Sequence, residues 1–177
     1  MERAGAALET QDGYDELYRR NRARVGRLCR LLIADRDEAE DVEQEVFVKL
    51  LRQFRDGEPR ADWRAWLTRV TLNACRDRRR SRWWRWWRGA TDEFEETRFA
   101  TFARTPEEEV LGVEQRARVW QAYERLPTRQ REVFVLRHVE GWSTQETADM
   151  LGLEPGSVKR HLFRAIRHLR GALGERR

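Results

Sequence analysis

The 177-residue chain has little cysteine, proline or lysine. It carries two cysteines, four prolines and, among 36 basic residues, only the lysines Lys49 and Lys159. Cys29 and Cys75 lie far apart in apolar-periodic segments, with no CxxC and no paired Cys/His spacing. That excludes a metal cluster or a disulfide framework and predicts two reduced core thiols in a reducing compartment. No apolar run approaches the ~20 residues that cross a bilayer. The N-terminal MERAGAALETQDG has no apolar core of signal-peptide length. A cytoplasmic protein with no membrane partner is expected. Strand alternation, internal repeats, a nucleophile–base pair and a Gly-rich phosphate loop are absent too, so neither an enzyme nor a cofactor or small-molecule substrate is expected. The length suits one domain or two small ones and excludes a large enzyme barrel.

What the chain has in abundance is charge. Charged residues make up 38% against 40% apolar residues, and mean hydropathy is −0.90. That is enough apolar content for small cores and argues against wholesale disorder. The net charge is +5 and the pI about 9.8, a balance that favours polyanions. Of the basic residues, 34 are arginine. Its planar fork suits phosphate and guanine, although a GC-rich genome accounts for the bias equally well. Arg76–Arg88 holds seven arginines, one acid and four of the eight tryptophans (Trp83, Trp84, Trp86 and Trp87). The sign then reverses: Thr91–Glu109 holds seven acids and two arginines, which reads as an acidic linker.

Periodicity predicts helices on both sides of that linker. After a loose tail over residues 1–13, Leu17, Val25, Leu28, Leu31 and Leu32 form a first apolar stripe. Asp35 or Asp37 is placed to cap a second helix, about Glu38–Phe54, in which Val42, Val46 and Leu50 repeat at i, i+4, i+8. Asp56-Gly57-Glu58-Pro59 is a loop. A third helix starts near Asp62 with Trp63, Trp66, Leu67, Val70 and Ala74 on one face, the tryptophans reading better as core than as stacking platforms. Beyond the linker, Thr105-Pro106-Glu107-Glu108 is a capping box for a helix with Val110, Val113, Ala117 and Trp120 on its apolar face. Another helix runs about Arg129–Val139, followed by a turn at Glu140-Gly141-Trp142.

The last segment has a helix-turn-helix pattern. Ser143-Thr144-Gln145-Glu146 forms a second capping box, Ala148 precedes Gly152 by four residues, and Val158 follows it by six. The small alanine lets two helices cross closely, the glycine takes the positive-φ turn, and the valine packs the second helix onto the core. That helix, about Pro155–Leu173, buries Val158, Leu162, Ile166 and Leu169 and leaves its arginines outside. Lys159, Arg160 and Arg164 are candidates for base or phosphate contact, with Phe163 as an apolar contact. A solvated basic helix closing a bundle is the plainer alternative. The fold class predicted is all-α: two small helical domains joined by an acidic linker, the C-terminal one a helix-turn-helix.

Four segments resemble, in order and spacing, the extracytoplasmic-function (ECF) family of bacterial RNA polymerase sigma factors. Asp37-Glu38-Ala39-Glu40-Asp41-Val42-Glu43-Gln44-Glu45-Val46-Phe47 resembles the family's DAEDLVQEVF, and Asp62–Asn73 its FRAWLYRIARN. Leu126-Pro127-Thr128-Arg129-Gln130-Arg131-Glu132-Val133-Phe134 matches LPxxxREVF, and Gly156-Ser157-Val158-Lys159 matches GTVK. Arg160-His161 departs from the Ser-Arg common at that place, and the Trp83–Arg88 run has no counterpart in the family pattern.

The resemblance implies a sigma domain 2 over residues 14–88, a linker over 89–106 and a sigma domain 4 over 107–177. It implies that Glu38, Asp41, Gln44 and Glu45 dock on bacterial core RNA polymerase. Phe54, Arg55, Arg69, Asn73 and Arg76 would open and capture the single-stranded −10 element. Ser157, Lys159, Arg160, Phe163 and Arg164 would hold duplex −35 DNA. It also implies an anti-sigma factor as a regulating partner, and catalysis by the polymerase rather than by this chain. The tryptophan run fits stacking on upstream DNA, anchoring the linker to polymerase, local packing or a membrane interface. A two-domain helix-turn-helix regulator that binds duplex DNA without polymerase is the rival reading. A protein of the membrane surface is a more distant one.

Overall fold

The computed structural model describes residues 2–56, 62–87 and 109–174, with side chains for most of them. The chain divides into two units, Met1–Glu95 and Glu96–Arg177, and every regular element among the described residues is helical. The proposed linker over 89–106 and the Thr105–Glu108 capping box lie outside the described residues.

The first unit is built from α1 (Glu2–Leu32), α2 (Arg36–Arg55) and α3 (Trp63–Trp87), each packed on the other two. The helix starts at Glu2, so the expected loose tail over residues 1–13 is corrected. The segment Glu2–Thr10 is rich in alanine and glutamate, which favour helix without help from a core. Asp35, not Asp37, caps α2: its Oδ1 accepts from the Glu38 N–H at 2.8 Å. Asp62 does the same for α3, accepting from the Ala65 N–H at 2.9 Å. The core is Val25, Leu28 and Leu32 of α1, Val42, Val46 and Leu50 of α2, and Leu67, Leu72 and Cys75 of α3. Each such side chain contributes about 1.5–3 kcal/mol by leaving water. Leu17 and Leu31 of the predicted stripe are only half-buried.

Two arginines of the basic block are structural ties. The Arg79 Nη1 donates to the carbonyl of Leu32 at 3.0 Å, satisfying an otherwise open acceptor at the C-terminus of α1. Arg78 reaches Asp41 of α2 at 3.2 Å. About three turns nearer the start of α3, Arg24 of α1 donates to the Thr68 hydroxyl at 3.0 Å. Cys29 and Cys75, remote in sequence, are both free, fully buried and hydrogen-bonded to each other. That hydrogen bond and burial push the Cys29 thiol far above its usual range.

The second unit holds α4 (Glu109–Glu124), α5 (Thr128–Phe134), α6 (Thr144–Leu151) and α7 (Pro155–Ala172), with α7 packed on the other three. Pro127, which has no N–H to leave open, precedes α5. The helix then widens into a π-turn over Val135–Val139, where the Glu140 N–H reaches the Val135 carbonyl at 3.0 Å. Tyr123, Leu126, Val133, Leu136, Trp142, Leu151, Val158 and Leu169 fill the core. On α4 the predicted apolar face is corrected in part. Ala117 and Trp120 are half-buried and Ala122 and Tyr123 are buried, while the Val110 and Val113 side chains lie outside those described.

The helix-turn-helix forms as its residues predict. Both bonds of the Ser143–Glu146 capping box are present, at 3.1 and 2.7 Å. Ala148 and Val158 are buried, and Gly152 sits at φ 64°. On α7 the buried positions are Val158, Ala165 and Leu169; Leu162 and Ile166 are half-buried, and Ala165 joins the stripe. Nothing lies within 4 Å of a Cβ built on Gly152, so a substitution there meets only backbone strain. Gly152→Ala is expected to lower the stability of the second unit by about 1–2 kcal/mol, and Gly152→Asn by less. Urea unfolding followed at amides of α6 and α7 would measure both.

Candidate polymerase and DNA interfaces

The outer side of α7 is the opposite of its buried stripe. Lys159, Arg160, Phe163 and Arg164 are exposed there, and Ser157 is half-buried. Phe163 is 64% exposed, the highest value among the large apolar residues described. An apolar ring held in water among cations is suited to a base edge or a thymine methyl. The Arg160 Nη2 donates to the Ser157 hydroxyl at 3.1 Å, which positions the guanidinium at the first turn of the helix. The Arg167 guanidinium stands over the Phe163 ring at 5.9 Å.

His161 faces inward beside this surface. It is half-buried, and its Nδ1 is enclosed without a hydrogen-bond partner. Burial, followed by the positive charges of Arg164, Arg129 and Arg160, holds its pKa below the ordinary value.

On α2 the outer face is acidic. Val42, Val46 and Leu50 are fully buried, which turns Asp41, Gln44 and Glu45 to solvent. Glu38, in the first turn, is half-buried. The face is ordered by pairing: Arg78 with Asp41 at 3.2 Å and Lys49 with Glu45 at 2.7 Å. At helical spacing, Asp41, Glu45, Val48 and Arg52 share one line. Val48 is 47% exposed in the middle of it. The motif alone did not single out Val48. Its signal is that it falls off the Val42–Val46–Leu50 period.

The third group is split between two helices. Phe54 and Arg55 close α2, immediately before the loop predicted from Asp56; residues 57–61 lie outside the described residues. Phe54 is half-buried between Tyr14 and Trp63, ring centroids 6.4 and 6.0 Å away, and Trp63 meets Trp66 edge-on at 5.6 Å. The two tryptophans are half-buried, so neither is enclosed core. Arg69, Asn73 and Arg76 repeat at i, i+4, i+7 along one side of α3. The first two are exposed and the third is half-buried. Trp66 lies on that side too, one turn before Arg69, which makes a line of aromatic, cation, amide and cation. The side chains of Trp83, Trp84, Trp86 and Trp87 lie outside those described, although the backbone of α3 runs through Trp87.

Comparison with known proteins gives the family of the two units. Residues 17–85 match the sigma-70 region 2 family, and residues 116–169 match sigma-70 region 4. The ECF RNA polymerase sigma factor SigL of Mycobacterium tuberculosis is 34% identical over 176 residues, 97% of this chain and 95% of that protein. SigM of the same species is 32% identical over 161 residues, 91% of this chain and 77% of that protein. A probable RNA polymerase sigma factor, RfaY of Xanthomonas campestris, is 28% identical over 171 residues; the chain spans 43% of its length. CnrH, solved in complex with the cytosolic domain of CnrY, superposes with a TM-score of 0.64 at 28% identity, covering 97% of this chain and 94% of that one. The sigma factor RpoE of Bartonella quintana, at 20% identity, shares the fold with a TM-score of 0.68 over 93% of this chain and 99% of that one. The chain belongs to the ECF family of RNA polymerase sigma factors. Among the described residues, no helix is long and apolar enough to cross a membrane, and no cluster of His, Cys, Asp and Glu is suited to a metal ion.

The inward His161 gives a pH signature. The unfolded chain binds a proton near the ordinary pKa of 6.5, where the folded unit still resists it. Stability of the second unit therefore falls as pH drops through and below that value. His161→Gln should flatten the dependence between about pH 7 and 5. Urea midpoints of both proteins across that range would show it.

Proposed function

We propose that the chain binds core RNA polymerase through the outer face of α2 and directs it to promoters through α3 and α7. The observation that carries this reading is that one buried stripe on α2 turns the motif residues Asp41, Gln44 and Glu45 outward together. An ordered acidic line with an apolar centre at Val48 fits a partner helix that is basic around an apolar contact. Both family matches support the division of labour. A regulator that binds duplex DNA alone has no use for the region 2 match over residues 17–85.

In this mechanism α7 enters the major groove of the −35 duplex by its N-terminal turns. Lys159, Arg160 and Arg164 contact bases or phosphates, and Phe163 packs on an apolar edge. A good bidentate arginine–guanine pair discriminates by about 1–3 kcal/mol. The −10 element is opened and held along α3. Arg69 and Arg76 steer the phosphates, Asn73 hydrogen-bonds an unstacked base, and Trp66 or Phe54 offers a ring face to it. Stacking of about 1–3 kcal/mol per base offsets the cost of unstacking. Phosphodiester chemistry belongs to the polymerase. The chain therefore works as a non-enzymatic factor, in the cytoplasm with its polymerase. We infer an anti-sigma protein that covers the α2 and α7 faces and silences them.

Titration of core polymerase with the full chain tests the first step. Asp41→Lys/Glu45→Lys should weaken binding about tenfold or more while the helical circular dichroism is kept. A folded wild type that does not bind core polymerase would sink the reading. For the second step, Asn73→Ala should leave closed complexes intact and reduce permanganate reactivity at −10 thymines; unchanged reactivity would remove Asn73 from strand opening.

A further inference from the structure

In the second unit, a groove of about 510 Å³ runs between α4 and the C-terminal half of α7. Four basic side chains line it: Arg118 and Arg125 from α4, Arg167 and His168 from α7. Its remaining lining includes the small residues Ala122 and Gly171, and no carboxylate lines it. Arg125, Arg167 and His168 are exposed. Neither the motifs that identify the family nor the expected −35 contacts include these residues.

Position along α7 suggests what the groove takes. Lys159 and His168 are separated by about 13 Å of helix axis at 1.5 Å per residue. The major groove is about 12 Å wide. A helix that enters it by its first turns therefore carries residues two to three turns later out beside a phosphate strand. Arg167 links the two places, since its guanidinium covers Phe163 on the reading face. A concave surface with several cations and no acid on its lining matches a run of phosphates, which present one negative charge per 1.7 Å or so of duplex.

We propose that the α4–α7 groove is a second DNA site, which grips backbone phosphates of the duplex adjoining the segment read by the first turns of α7. It adds affinity without sequence preference and fixes the angle at which α7 leaves the groove. The proposal rests on the reading of α7 as the DNA-binding helix.

The test uses the full chain bound to core polymerase and a duplex enriched by that complex from a random-sequence pool. Affinity is measured against salt for the wild type, for Arg118→Gln/Arg125→Gln/Arg167→Gln, and for the same three positions changed to lysine. The glutamine variant should lose affinity and flatten the slope of log K against log salt by about 2–3, at ~0.9 per lost phosphate contact. The loss should persist when the flanking sequence is scrambled and vanish when the flanking duplex is trimmed away. The lysine variant should recover most of the slope, which separates charge from folding. An unchanged slope and an unchanged hydroxyl-radical footprint would overturn the proposal. Weaker binding to core polymerase before DNA is added would also overturn it, by making the groove a protein-docking surface. Lys159→Ala is the control for the underlying reading. If the wild type enriches no duplex, or Lys159→Ala has no effect on the enriched one, the reading of α7 fails. If only the groove variant matches wild type, the second site alone fails.

Discussion

Burial along two helices governs what this chain presents to partners. On α2, Val42, Val46 and Leu50 must face α1 and α3. On α7, Val158, Ala165 and Leu169 must face the second unit's core. A helix has one rotation about its axis, so those apolar contacts decide which charged residues look outward. The charged outer faces carry little stability of their own. Exposed ion pairs such as Glu45–Lys49 contribute at most about 1 kcal/mol each, whereas the apolar stripes beneath them hold the elements in place.

The abundance of arginine divides along the same line. Arg79 closes the C-terminus of α1, Arg24 ties α1 to α3, and Arg129 is paired with the fully buried carboxylate of Glu132 at 3.0 Å. Removing a partner from a buried carboxylate is costlier than breaking a surface pair. Arg69, Arg160 and Arg164 stand in solvent. Composition gave one number for both populations. The fold separates arginines that satisfy carbonyls and carboxylates inside the protein from those turned out towards solvent.

The parts of the structure written in local rules were legible in the residues. The Ser143–Glu146 capping box, the left-handed Gly152 and the Val42–Val46–Leu50 stripe each follow from neighbours within a turn or two, and each is present. What depended on contacts remote in sequence was not legible. Nothing near Cys29 announces Cys75, nothing near Asp41 announces Arg78, and the aromatic chain from Tyr14 through Phe54 to Trp66 joins three helices. Apolar periodicity also misled once. Residues 2–13 lack an apolar stripe and so read as a tail, yet strong helix formers continue α1 through them. Of the residues proposed for polymerase and −35 DNA, all but the half-buried Glu38 and Ser157 are exposed, as helical spacing requires. The −10 group is less regular, because Phe54 ends a helix and shares its ring with neighbours.

The paired thiols make the first unit its own reporter. Cys29 and Cys75 are the chain's only cysteines, and both lie between α1 and α3 with no exposed surface. A thiol reacts as the thiolate, and burial with a mutual hydrogen bond suppresses that form at Cys29. Modification of Cys29 must therefore wait for the three helices to part. Its rate reads the opening equilibrium of that unit alone, because the second unit contains no sulfhydryl to answer. Contacts that hold α1, α2 and α3 together would register as slower labelling, and contacts confined to the helix-turn-helix would leave it unmoved.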